Sequence, residues 1–154
     1  MSKKTKASYQ IDQSGRVEYT SHDTVIAISN GERNAILIKA KDKRYLQQVF
    51  RKMGKNNIFV FRVFSLLIVQ LVKITKCCEE LTIDLEYPGR ESQIKNYILE
   101  DLKNSGSKIN TENIKFGRIG KKSEAHWHAY YVFKKKRKAE IVITAKEVLN
   151  YLFH

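Results

Sequence analysis

The chain has 154 residues, 42% hydrophobic with a single proline, which suits one compact domain and excludes two large ones. Lys and Arg total 29 against 16 Asp and Glu, so the net charge is +13, spread along the chain, and the natural partner is a polyanion. Two adjacent cysteines, Cys77 and Cys78, with no CxxC spacing, exclude a disulfide framework and a cysteine metal site.

The basic residues are interleaved with 8 Tyr, 7 Phe and 1 Trp, which favours nucleic acid, because aromatic rings stack on bases. A plainer source of the same enrichment is the compositional bias of a heat-adapted or AT-rich genome. The start, MSKKTKASYQ, lacks the apolar stretch of a secretion signal, and the two thiols read as reduced, so a cytoplasmic protein is expected.

In chain order, residues 1–7 form a basic tail and residues 8–154 a single domain. YQIDQSGRVEYT predicts a strand, a Ser-Gly turn and a return strand, with Asp12 ending the first. TVIAISNG and NAILIKA follow, joined at Asn30-Gly31, a tight-turn signal, which completes an antiparallel meander. KDKRYLQQVFRKMG changes period to helical, with Tyr45, Leu46, Val49, Phe50 and Met53 on its apolar side and Gly54 as the stop.

IFVFRVFSLLIVQLVKI is apolar almost all round and predicts an interior helix, although its first four residues suit a strand equally. Residues 58–72 are the only membrane suspect; they are short and carry Arg62 and Gln70, so core burial is expected and no membrane partner. The same helix offers a homodimer interface as an alternative use of its apolar surface.

ELTIDLEY predicts a buried strand, PGR a turn, and ESQIKNYILEDLKN an amphipathic helix with Ile94, Tyr97, Ile98 and Leu102 on one side. After a polar loop, NIKFGRIG is a short strand, giving a strand-helix-strand unit with parallel pairing. Ser123 then caps a helix whose apolar face carries Ala125, Ala129, Val132 and Phe133, and KKKRK ends it. IVITAKEVLNYLF closes with an extended piece and a helix opened by a Thr144 to Glu147 capping box.

The stretch LTIDLEYPGR raises an electrostatic question. Strand alternation places Thr82, Asp84 and Glu86 on one face and Leu81, Ile83 and Leu85 on the other. Two acids on one face repel, so a cation, a lysine or water is expected beside them.

The element order, with the IDQSG, TIDLEYPG and GKKSEAHWHAYY segments, resembles the RNase H-like superfamily over roughly residues 8–133. The resemblance is to its RuvC-type resolvases more than to RNase H proper, because KDKRYLQQVFRK lacks the first-helix glutamate. It implies an α/β fold: an RNase H-like mixed sheet, three antiparallel strands then parallel strands, flanked by helices.

The resemblance also implies a metal site. Asp12 matches the central ligand; Asp84, with Glu86 as alternative, matches the fourth-strand acid; His126 stands where the last helix usually brings an acid, with Ala129 as the small residue against the sheet. The implied cofactor is Mg²⁺ or Mn²⁺, in a two-ion arrangement, and imidazole suits Mn²⁺ better. In-line phosphodiester hydrolysis gives such a set its reason: two ions about 3.5–4 Å apart neutralise the attacking and leaving oxygens. Arg118, Lys121 and Lys122 would hold phosphates of the scissile strand, while Lys134, Lys135, Lys136 and Arg137 would touch the backbone without reading bases.

Each residue also has a plainer reading. Asp12 before Gln-Ser-Gly suits a turn, Asp84 and Glu86 a solvated edge or lysine pairs, and a helical histidine a boundary position. Glu124 and His128 are spaced to pair, Asp23 is a reserve ligand better suited to a turn, and Trp127 suits either base stacking or packing. The expected activity is a metal-dependent endonuclease on branched DNA or an RNA-containing duplex. The alternatives are a non-catalytic nucleic-acid-binding protein of the same fold and a protein-binding scaffold.

Overall fold

The computed structural model describes residues 8–76, 79–107 and 109–153; the basic tail and both cysteines lie outside them. Among the described residues six strands form one mixed sheet: β1 (Ser8–Ser14), β2 (Thr24–Asn30), β3 (Glu32–Ile38), β4 (Glu80–Asp84), β5 (Ile114–Gly117) and β6 (Ile141–Ile143). Its order is β5-β4-β1-β2-β3-β6, with β1, β2 and β3 antiparallel and β4, β5 and β6 each parallel to its neighbour. The mixed α/β sheet expected from the sequence is therefore present.

Five α-helices among the described residues flank it: α1 (Ala40–Lys52), α2 (Phe59–Thr75), α3 (Glu91–Asn104), α4 (Glu124–Phe133) and α5 (Ala145–Phe153). The apolar strands supply both faces. Ile26, Ile28, Ile36 and Ile38 belong to the larger core, which also holds the buried residues of α2, Ile94, Ile98 and Leu102 of α3, and Leu46 and Phe50 of α1. Val25, Ala27 and Ala35 point the other way and meet Ala125, Ala129 and Val132 of α4. Alternation along β2 and β3 thus divides the molecule into two helical layers.

Helix α2 is the interior helix, and the ambiguous IFVF segment is helical rather than extended, preceded by a single 3₁₀ turn at Asn56–Ile58. By length and composition it is the one helix among the described residues apolar enough to cross a membrane; here Val63, Leu67, Ile68 and Leu71 are buried in the core. Each such side chain contributes about 1.5–3 kcal/mol by leaving water. Its Arg62 makes a bidentate pair with Asp101 of α3, at 2.7 and 2.8 Å.

Three local expectations need correction. Residues 16–23 are a loop, not a return strand: β1 pairs directly with β2, and Lys43 of α1 anchors the loop from inside. Tyr45 and Met53 are exposed, because α1 turns Lys43, Leu46 and Phe50 inward. Leu85 is 39% exposed, because β4 ends at Asp84 and the chain leaves the sheet. The extended piece expected at 141–143 is present, and it joins β3 as a sixth strand.

The capping box opens α5 as its sequence dictates: Thr144 N–H donates to Glu147 Oε1 at 3.2 Å, and Glu147 N–H donates to Thr144 Oγ1 at 3.3 Å. Asp23 caps α1 from a distance, accepting from Ala40 N–H at 2.9 Å, so its carboxylate serves a helix end.

Candidate metal centre

Pairing register brings the distant acids together. Asp12 lies opposite Ala27 on β2, so it faces the α4 layer. β4 runs parallel beside β1 with Gln10 level with Thr82 and Ile11 with Ile83, a register that carried one residue further sets Asp84 level with Asp12 on the same face. Asp84 is level with Gly117 of β5, so no side chain crowds it from that side.

Glu86 reaches the same place by a different route. The strand has ended, and Glu86 N–H donates to the carbonyl of Asp84 at 2.9 Å, a tight turn that folds the chain back. One carboxylate oxygen from each of Asp12, Asp84 and Glu86 then lies within 4.8 Å of the others. Strand alternation beyond Asp84 is thus the wrong reason for a correct proximity.

His126 comes from the opposite layer. Ser123 caps α4 by accepting from Ala125 N–H at 3.2 Å. The small side chains Ala125 and Ala129 on α4, against Ala27 and Ala35 on the sheet, let helix and sheet approach closely. The approach puts His126 Nδ1 2.9 Å from Asp12 Oδ2.

The four residues line an open cleft of about 400 Å³ together with Gln13, Leu85, Arg118, Gly120 and Lys121. A larger cavity of about 530 Å³ between α2, α3 and α5 contains one carboxylate, Asp101, already committed to Arg62. Carboxylate chemistry belongs to the smaller cleft.

Its electrostatics follow from burial and repulsion. Burial pushes the Asp12 carboxyl above its ordinary range, the Gln13 N–H and His126 pull it back, and Asp84 pushes it up again. Glu86 is pushed up to about 8, first by burial, then by a hydrogen bond with Asp84 and by the charges of Asp84 and Asp12, against the pull of Arg16. At neutral pH the Glu86 carboxyl therefore favours its protonated form.

Arg16 is the residue that sequence reasoning missed. Its Nη2 donates to the Glu86 carbonyl at 2.8 Å, its Nη1 lies 3.5 Å from Glu86 Oε2, and its Nε pairs with Glu18 at 2.8 Å. The guanidinium lies 4.8 Å over the Tyr87 ring. The available signal was its place directly after the Ser-Gly turn that follows Asp12. Among the described residues, no Lys or Arg nitrogen lies within 4.0 Å of a carboxylate oxygen of Asp12 or Asp84.

The basic residues divide into two groups. Arg118 and Lys121 reach the cleft, on a loop fixed at both ends: Ile119 N–H donates to Asp84 Oδ1 at 3.0 Å, and Trp127 Nε1 donates to the Lys121 carbonyl at 2.6 Å. Lys122 is exposed beside them. Lys134, Lys135, Lys136 and Arg137 follow the far end of α4, about 12 Å along the helix axis from His126, and do not line the cleft.

His128 is buried, not at a boundary. Its Nε2 lies 2.7 Å from Glu140 Oε1, the same oxygen that accepts from Ala35 N–H at 2.7 Å, so it ties α4 to β3. Glu124 pairs with Arg33 instead, at 3.4 Å.

The donor set fits a small divalent cation: hard carboxylate oxygens converging from a strand centre, a strand end and a turn, with an imidazole alongside. Compared with protein-family models, with curated proteins and with solved structures, the chain gives no match to any of the three.

Proposed function

We propose that the protein is a divalent-metal-dependent phosphodiester hydrolase acting on nucleic acid, with Asp12, Asp84 and Glu86 holding Mg²⁺ or Mn²⁺. The observation that carries the reading is the convergence of three carboxylates within 4.8 Å, two of them buried enough to be pushed toward protonation. Such a group is costly without a cation and becomes favourable with one.

The bound ion would neutralise charge on the phosphate and ready a water for in-line attack. The protein's own side chains do the rest. Asp12 is central, reaching both Asp84 and His126; His126 orients the Asp12 carboxylate through Nδ1. Arg118 and Lys121, on the rim, are suited to bind the flanking phosphates. The sheet order and the positions of these acids support kinship with the RNase H-like nucleases, and the basic surface supports a nucleic-acid substrate.

Arg16 favours a second reading. A guanidinium already on Glu86 suits a cleft that binds nucleic acid without cutting it. Incubation with labelled branched, hybrid and single-stranded substrates in Mn²⁺ and in Mg²⁺ separates the two. Metal-dependent cleavage lost in Asp12→Asn and Asp84→Asn is expected; no cleavage by wild type, or equal cleavage by the variants, rules hydrolysis out.

A further inference from the structure

The outer face of α4 carries a row of aromatic rings that starts at the cleft. Trp127 lies 5.0 Å from the His126 ring, 6.0 Å from Tyr130 and 5.8 Å from Tyr131, and with Tyr131 it is nearly parallel, at 27°. Tyr130 and Tyr131 are 5.5 Å apart, and Tyr130 is 39% exposed. None of the three rings belongs to either core.

Cations accompany the row along its length. Lys121, in the cleft, takes the Trp127 N–H on its carbonyl; Lys134 Nζ lies 5.8 Å over Tyr130, and Arg137 lies 4.7 Å over Tyr131. The cations lie over the Tyr130 and Tyr131 rings, so a base that takes a ring face displaces a long, flexible side chain and frees its charge for a phosphate; such a surface is complementary to a nucleic-acid strand whose bases are free to stack. A duplex offers no such faces, because its bases are already stacked on one another.

We propose that this row, Trp127, Tyr130 and Tyr131, is a stacking platform for an unpaired nucleic-acid strand leading into the acidic cleft. The substrate class is then a nucleic acid with unpaired nucleotides beside the scissile phosphate, such as a branch point or a flap. The inference rests on reading the cleft as a nucleic-acid site, and its test needs neither metal nor cleavage.

Trp127 is the single tryptophan, so its fluorescence reports this surface alone. The full chain in EDTA is titrated with a single strand, the matching duplex, and a duplex with an unpaired arm, as DNA and as RNA. Expected is quenching by the single strand and by the armed duplex at concentrations about tenfold lower than by the plain duplex. Tyr130→Ala with Tyr131→Ala should remove that preference and leave duplex binding unchanged. By anisotropy of a labelled strand, Trp127→Phe should keep the preference and Trp127→Leu should lose it.

Equal quenching by strand and duplex, or an unaltered preference in the tyrosine variants, overturns the proposal. A protein that shows the preference but cleaves nothing keeps the platform and loses hydrolysis. One that cleaves with metal but shows no preference loses the platform and keeps the cleft.

Discussion

Asp12 Oδ2 lies 2.9 Å from His126 Nδ1, joining the central strand to a helix 114 residues later in the chain. The contact puts an imidazole beside the most central carboxylate of the cleft. Asp12→Asn should abolish cleavage while raising the melting temperature of the metal-free protein, because it removes one of three mutually repelling acids. Thermal melting in EDTA checks the second half, and a lowered melting temperature would count against stored repulsion.

The raised Glu86 pKa sets a pH dependence. In the folded, metal-free protein Glu86 keeps its proton up to about pH 8, whereas an unfolded Glu releases it near 4.5. Between those values the native state binds more protons, so stability falls as pH rises. Melting in EDTA should drop across pH 5 to 8 by at least ~2–4 °C beyond control proteins, the shift expected for about 1 kcal/mol in a domain of this size. Saturating Mn²⁺ should flatten the slope, since the cation replaces the proton.

Lys43 is a structural tie to the site. Its buried ammonium donates to the carbonyls of Arg16 and Tyr19 and to Thr24 Oγ1, at 3.3, 2.8 and 2.8 Å, and so fixes the loop that delivers Arg16 to Glu86. Burial pulls its pKa down to about 8, with Asp23 and Glu18 opposing. Lys43→Met keeps the bulk but strands three acceptors, at about 1–3 kcal/mol for each one left buried and unsatisfied. Urea unfolding should show a loss of about 3 kcal/mol or more, and a neutral result would remove the tie.

Two glycines at turns should differ sharply. At Gly15, with φ +73°, an added Cβ would meet the Asp23 carbonyl oxygen and the Phe133 ring, so Gly15→Ala should cost more than ~2 kcal/mol and disturb the loop beside the cleft. Gly31, with φ +79°, has open space around it, so Gly31→Ala should cost only the backbone conformation, about 1 kcal/mol. Denaturant midpoints of the two variants test the contrast.

Much of this arrangement was legible because it is written in local periodicity. The helices, the β2–β3 turn and the Thr144 capping box follow from spacing and cap chemistry. Asp12, Asp84 and His126 were singled out as residues, but their proximity depends on β4 lying beside β1, which no local signal specifies. Arg16 was missed because its partner is 70 residues away, and residues 16–20 read as a strand because Val17 and Tyr19 alternate like one. The loop is held by Lys43, a long-range contact that competes with β propensity and wins.

Calorimetric titration with Mn²⁺ tests the central claim most directly, comparing wild type with Asp12→Asn and Asp84→Asn at pH 7.5. Saturable heat and proton release are expected in the wild type, and neither in the two variants. No binding to the wild type, or equal binding by all three proteins, would contradict it.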